Sequence, residues 1–183
     1  IAMFCFQCQE CAANKGCTVR GVCGKPEVTS NLQDLLIYTL KGIALWAEKA
    51  REVGIDDDGE GLFVSQGLFT TITNANWDDE RFVALIDEAQ QCRDAIRDRF
   101  LAAYRKKNGR DFSETLHDAA TWSARGEAAY QEKARSVGVL ATENEDVRSL
   151  RELLIIGLKG IAAYADHAAV LGYEDKALYD FFM

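Results

Sequence analysis

The chain has 183 residues, of which 48% are hydrophobic and 27% are charged. These proportions are typical of a soluble globular protein and exclude a disordered or fibrous chain. A formal net charge of −8 makes a nucleic-acid partner unexpected, because phosphate binding needs a basic surface. A single proline, together with many alanine, leucine, glutamate and lysine residues, favours an all-α fold.

The sequence shows no targeting or membrane-spanning segment. Cysteines begin at Cys5, where the charged and apolar regions of a signal peptide would stand. The most apolar stretch, residues 153–165, is short and is interrupted by Lys159. We therefore expect a cytoplasmic protein without a membrane partner, in a compartment where thiols stay reduced.

The first part of the chain, residues 1–25, is a cysteine-rich loop. Its spacing C-x2-C-x8-C-x5-C is formed by Cys5, Cys8, Cys17 and Cys23. Thiolates are soft ligands, and sets of four hold iron–sulfur clusters. Glycines at 16, 21 and 24 permit close approach of backbone N–H groups to sulfur. Positive charge near an anionic cluster comes from Lys15, Arg20 and Lys25. The loop predicts a [4Fe–4S] cluster on the four cysteines.

Other uses of these thiols stay open at this point. Four cysteines also suit a structural zinc ion, and disulfides are a further alternative. The start of a bacterial ferredoxin motif is matched through Cys11, but Lys15 and Gly16 stand where that motif requires cysteine and proline. We interpret Cys11 as a spare thiol near the cluster, or as a ligand that substitutes after damage.

Residues 26–107 carry three apolar patterns at helical spacing and predict a three-helix bundle, with helices over 26–53, 60–73 and 77–107. Pro26 suits a first helical turn, Gly54 a C-cap and Asn76 an N-cap. Cys92 recurs with the apolar positions of the third helix, and we interpret it as an inert core residue. Residues 108–141 are less regular and predict a connector with a short helix near 127–135.

Residues 142–183 begin the first bundle again. Over 31–54 and 149–172, at an offset of 118, twelve of twenty-four positions are identical, including the motif Leu-Lys-Gly-Ile-Ala. This is an internal repeat. Thr142 and Glu145 form a capping-box pattern at its start. Gly42 and Gly160 each cost about 1 kcal/mol in a helix interior, which predicts close helix contact at both positions; the alternative is that they allow a cofactor to approach.

The second copy stops after the start of its second helix. We expect an incomplete bundle, truncated in this chain, with an exposed apolar face that promotes association. The alternative is that the final segment packs on the first bundle and closes its core.

These motifs together resemble the hybrid-cluster (prismane) protein family of hydroxylamine reductases, in its N-terminal region only. The resemblance is carried by the segments 3–10, 16–26, 31–38, 71–79 and 141–155. It implies that Cys5, Cys8, Cys17 and Cys23 hold the proximal [4Fe–4S] cluster. Cys11 stands where family members usually have no cysteine. The family's hybrid iron–sulfur–oxygen cluster, where substrate is reduced, takes ligands from later domains.

The resemblance implies an electron-transfer part of a reductase that converts hydroxylamine to ammonia, or acts on nitric oxide. Its partners would be a redox protein as electron donor and the remaining domains of a complete enzyme, and this part alone is expected to be inactive. The two histidines, His117 and His167, are predicted on the surface, outside any ligand set. Two rival hypotheses are a helical binding scaffold with structural zinc and a helical domain without metal.

Overall fold

The computed structural model describes residues 3–72 and 75–183. Within them the chain forms six α-helices: α1 (Glu27–Glu52), α2 (Glu60–Phe69), α3 (Asp79–Asn108), α4 (Glu127–Val137), α5 (Glu145–Val170) and α6 (Lys176–Phe182). Short 3-10 turns cover Ala12–Asn14, Asp118–Ala120 and Val139–Ala141. In the described part, β pairing is limited to an isolated antiparallel bridge between Cys5 and Cys17. The all-α prediction is confirmed.

The predicted ends of α1, α3 and α4 agree with the structure to within two residues. Helix α2 ends at Phe69, earlier than predicted; the predicted end, residue 73, lies outside the described residues. Gly54, predicted as a C-cap, follows the cap residue Val53 with a φ of 85°, which is the left-handed conformation of a helix-ending glycine.

Three predictions of helix N-termini are wrong in detail. Pro26 is the N-cap of α1 rather than part of its first turn. The side chain of Asp78, not Asn76, caps α3 by accepting from the backbone N–H of Arg81. Helix α5 is capped by Asn144, not by Thr142. An N-cap oxygen has to reach the N–H two or three residues ahead, and only the residue directly before the helix is placed to do so.

Helix α1 lies at the centre of the main core and packs chiefly against α3, with α2 and α4 alongside. Its fully buried side chains include Leu32, Leu35, Leu36 and Ile43. The connector after α3 crosses α1, where Trp46 Nε1 donates to the carbonyl of Ala120 at 2.8 Å. A Cβ on Gly42 would lie 2.1 Å from the carbonyl oxygen of Ala119, so the predicted close contact at this glycine is confirmed.

Helices α5 and α6 pack against α2. Tyr179 and Phe182 of α6 are buried in the main core, so the final segment does pack on the first three helices. Much of the apolar surface of α5 is nevertheless exposed, including Leu150, Leu153, Leu154 and Tyr164. A Cβ on Gly160 would meet no atom within 4 Å, so the close contact predicted at this glycine is absent.

Among the described residues, α5 is the one helix long and apolar enough, by length and composition, to cross a membrane. The stretch 153–165 had suggested a shorter segment. The core helix of a soluble protein can meet the same criteria of length and composition. The burial of Lys159 at 2% exposure also indicates packing against protein, because a charged side chain in lipid is costly.

Candidate metal centre

The backbone brings the two ends of the cysteine loop together. The N–H of Cys5 donates to the carbonyl of Cys17 at 2.9 Å, and the N–H of Cys17 donates back to Cys5 at the same distance. Both cysteines are buried, in a small apolar cluster with Met3 and Cys11. Residues twelve apart in sequence are therefore held side by side before any metal is considered.

The other two predicted ligands lie at the edge of this cluster. Cys8 and Cys23 are half-buried. Gly21 is close to Cys23, since a Cβ on that glycine would lie 3.0 Å from Cys23 Sγ. In the residues that the structure describes, no three or more His, Cys, Asp or Glu side chains are arranged to hold one metal ion. The assignment of the four cysteines stays a prediction.

Two hydrogen-bond donors reach sulfur atoms of the loop. The backbone N–H of Ala12 donates to Cys17 Sγ at 3.4 Å. Lys25, at 2% exposure, places Nζ 3.9 Å from Cys5 Sγ. N–H groups and a buried ammonium beside thiolates fit an anionic thiolate-held group, whose charge and potential such contacts set.

The three basic residues predicted near the cluster have different roles. Lys25 is buried at the sulfur of Cys5. Lys15 is exposed. The side chain of Arg20 donates to the carbonyl of Gly24 at 2.7 Å, so it stabilises the loop rather than a sulfur.

Cys11 lies among the predicted ligands rather than apart from them. Burial raises the pKa of its thiol, and the nearby Cys17 and Cys8 raise it further. The nearby backbone of Gly16 lowers the pKa. A thiol with a raised pKa is a poorer thiolate donor; the interpretation of Cys11 as a spare thiol stays a prediction.

The remaining candidates lie away from this loop. Cys92 of α3 packs against the main core, and burial raises its pKa to about 12, so it is a protonated, inert thiol at neutral pH. His117 and His167 are exposed, as predicted. Each is in edge contact with an aromatic ring, His117 with Tyr38 and His167 with Phe69.

A buried polar network beside the loop was not predicted from the sequence. Lys25 Nζ donates to the side-chain oxygen of Gln33. Gln7, between Cys5 and Cys8, donates its amide to the carboxylate of Asp34. Lys159 of α5 donates to the carbonyl of Gln7 at 3.0 Å and to its side-chain oxygen. The network joins the loop to α1 and α5.

The two charged ends of the network have shifted pKa values. Burial raises the pKa of Asp34 to about 7, against the lowering effects of Lys159 and the Gln7 hydrogen bond. Burial lowers the pKa of Lys159 to about 8, and the charge of Lys25 lowers it as well. One feature of the sequence pointed to this network: Lys159 interrupts an apolar helical stretch. That feature did not show which residues Lys159 contacts.

A sequence profile of the Prismane/CO dehydrogenase family matches residues 3–183. The chain belongs to this family. It is 64% identical over 181 residues to a hydroxylamine reductase of Nitratidesulfovibrio vulgaris, covering 99% of this chain and 32% of that protein. It is also 57% identical over 181 residues to a hydroxylamine reductase of Halothermothrix orenii, covering 99% of this chain and 33% of the relative.

A hydroxylamine reductase of Desulfitobacterium hafniense is 54% identical over 183 residues, covering 100% of this chain and 32% of that protein. The chain thus spans about a third of the length of these curated relatives. Prismane-family proteins are iron–sulfur proteins and the named relatives are oxidoreductases, which supports an iron–sulfur cofactor in general terms. The resemblance based on sequence motifs is confirmed.

Proposed function

We propose that this chain is the electron-transfer part of a hydroxylamine reductase, with a [4Fe–4S] cluster held by Cys5, Cys8, Cys17 and Cys23. The observation that carries the proposal is the paired, buried Cys5 and Cys17 with the Lys25 ammonium 3.9 Å from Cys5 Sγ, in a prismane-family chain. Such a cluster, when bound, stores and passes single electrons.

The residues of the loop prepare a site for negative charge. Lys25 sets a buried positive charge against the thiolate of Cys5, and the Ala12 N–H donates to the sulfur of Cys17. Met3 and Phe6 pack on the buried cysteines and limit the access of water. Limited solvent access and donated hydrogen bonds are the means by which a protein sets a cluster potential.

The activity of a whole enzyme would need more than these residues. Reduction of hydroxylamine to ammonia and water consumes two electrons and two protons, so a redox protein has to supply the electrons. The hybrid iron–sulfur–oxygen cluster would be held by further domains, and nitric oxide is a second substrate to test. Six free cysteines in the described residues are compatible with a reducing, cytoplasmic compartment.

Anaerobic reconstitution with iron and sulfide tests the cluster directly. We expect brown protein with acid-labile sulfide and visible absorption that dithionite bleaches. Cys8→Ala is expected to lose the cluster, whereas the matched Cys11→Ala variant keeps its iron and sulfide. Equal iron content in wild type and Cys8→Ala would contradict the ligand assignment.

The alternative function is a helical scaffold with structural zinc on the same cysteines. Zinc has no visible absorption and no redox change, so a colourless protein with one zinc per chain and no sulfide would establish it. A chain that binds neither metal after anaerobic purification would be a helical domain without metal.

A further inference from the structure

Lys159 is an unusual residue to find inside this molecule. It is 2% exposed, and both of its hydrogen bonds go to Gln7, which is 152 positions away in sequence. Gln7 stands between Cys5 and Cys8. The ammonium group of α5 is therefore fixed against the segment that carries two predicted ligands.

Burying an ammonium group costs several kcal/mol unless negative charge offsets it. The carboxylate that acts most strongly on Lys159 is Asp34. The side-chain amide of Gln7 links the two, because its nitrogen donates to Asp34 and its oxygen accepts from Lys159. Apolar residues of similar volume often replace a buried ion pair without loss of stability. Packing alone therefore gives no reason for a lysine at this position, whereas an adjacent anionic site does.

The loop has two buried cations and one buried carboxylate around it. Lys25 and Lys159 are both 2% exposed, and Asp34 is 8% exposed. Asp34 and Gln7 also border an open cavity of about 850 Å³. Besides Lys159, Asp34 is influenced by the charges of Glu152 and Lys25. The other charged side chains that line the cavity are Lys41, Glu48, Asp118, Lys133, Arg151 and Glu152.

The internal repeat supplies a comparison for Lys159. Lys41 is the equivalent lysine of α1, and its side chain is exposed. Asp34 and Glu152 are the equivalent acidic residues. Each lysine is influenced by the acidic residue of the other copy, Lys159 by Asp34 and Lys41 by Glu152. The cysteine loop lies on the Lys159 side of this arrangement, where Lys159 donates to Gln7, whereas Lys41 and Glu152 line the cavity.

We propose that Lys159 and Asp34 are positioning residues of opposite effect that together set the reduction potential of the cluster in the cysteine loop. This inference rests on the proposed function. Reduction adds one negative charge to the site. A buried positive charge favours the reduced form and a buried negative charge favours the oxidised form, because low-dielectric surroundings screen neither.

The test is an anaerobic potentiometric titration of the reconstituted protein at about pH 7.5, between the pKa of Asp34, about 7, and that of Lys159, about 8, with iron and sulfide measured in every sample. Lys159→Met removes the cation and is expected to lower the potential. Asp34→Asn removes the anion, keeps a side chain that can bond Gln7, and is expected to raise it. Each change should alter the reduction equilibrium about tenfold, which is 59 mV for a one-electron couple. The double variant should return towards wild type.

Lys41→Met is the matched control. It alters the same motif in the other copy. Partial burial of its ammonium group lowers its pKa, but the residue as a whole is exposed, so water and salt screen its charge more than that of Lys159. We expect a much smaller shift. Opposite shifts for the two buried residues are the decisive result, because loosening of the loop would move both variants in the same direction.

Shifts of the same sign, or no shift at equal iron and sulfide content, would overturn the inference and leave the proposed function intact. Absence of acid-labile sulfide in the wild-type protein would overturn both. If Lys159→Met fails to retain iron, Asp34→Asn decides alone: a raised potential supports the inference, and an unchanged potential overturns it.

Discussion

Helices α1 and α5 share a sequence motif but have opposite environments. Both are 26 residues long, and their first and last residues are equivalent in the repeat. In α1 the apolar face is buried and Lys41 is exposed; in α5 the apolar face is exposed and Lys159 is buried. The motif therefore specifies an amphipathic helix. Whether its apolar face or its lysine is buried depends on the segments that pack against it.

The neighbours of the two helices explain the difference. Helix α1 is covered by α3 and by the connector that crosses at Gly42. Helix α5 packs on α2 and holds the cysteine loop through Lys159. The same glycine–lysine pair thus serves a packing role in one copy, through the glycine, and a polar role in the other, through the lysine.

The largest expected difference concerns equivalent leucines. Leu36 is fully buried, whereas Leu154 is 57% exposed. Leu36→Ala should lower the free energy of unfolding by about 2–5 kcal/mol, because it leaves a cavity, and Leu154→Ala by less than about 0.5 kcal/mol. Urea denaturation measures both values. A large loss from Leu154→Ala would show that something covers the α5 face in solution.

Asp34 and Glu152, the equivalent acidic residues of the two copies, should differ in how strongly they make the free energy of unfolding depend on pH. The pKa of Asp34 in the folded chain is about 7, above its ordinary value of 3.8. A raised carboxyl pKa means that the folded state binds more protons, so stability falls as pH rises from about 4 to 7. Over this pH range the free energy of unfolding falls by about 4 kcal/mol at most.

Asp34→Asn should remove this loss, so that the variant gains stability relative to wild type as pH rises. Glu152→Gln is the control, with a smaller effect because Glu152 is only half-buried. Thermal or urea unfolding between pH 4 and 8 gives both slopes. Parallel slopes for wild type and Asp34→Asn would contradict the assignment of a buried, raised carboxyl group.

The paired glycines should respond to alanine with opposite signs. Gly42→Ala would bring a methyl group against the carbonyl of Ala119 and should cost about 1–3 kcal/mol. Gly160→Ala meets no atom within 4 Å and should add about 0.5–1 kcal/mol, because alanine favours a helix. Denaturation midpoints distinguish the two, and destabilisation by Gly160→Ala would indicate a contact at that glycine.

The smallest expected difference is at the helix N-termini. Helix α5 has a side-chain cap from Asn144, whereas α1 begins after Pro26 without one. Asn144→Ala should cost about 1 kcal/mol, and Pro26→Ala less. Thr142→Ala separates the observed cap from the predicted one, since an equal loss there would favour the capping box.

The sequence predicted the helices well because helix-forming signals are local. Apolar spacing and the glycine after Val53 located α1 within one residue at each end. The cap at Asp78 was missed because Asn76, Asp78 and Asp79 are all plausible capping residues. The cysteine spacing predicted a metal-binding loop, and in the structure a backbone bridge joins Cys5 and Cys17; the ligand assignment stays a prediction.

The polar network at Gln7 could not be predicted from the sequence, for a physical reason. Its contacts join residues far apart in the chain, and nothing local marks Gln7, Asp34 and Lys159 as partners. The repeat does not distinguish Lys41 from Lys159, because both stand in the same Leu-Lys-Gly-Ile-Ala motif. Only the packing of α5 beside the loop distinguishes them.

The hydrogen bond from Lys159 to Gln7 has a consequence for folding during translation. The two residues are separated by 152 positions, so at about 5–20 residues per second the donor is made roughly 8–30 s after the acceptor. During the later part of that interval the cysteine loop is outside the ribosome, but Lys159 has not yet been synthesised and cannot bond to Gln7. We therefore expect that a cluster can be inserted into the loop before helix α5 is synthesised.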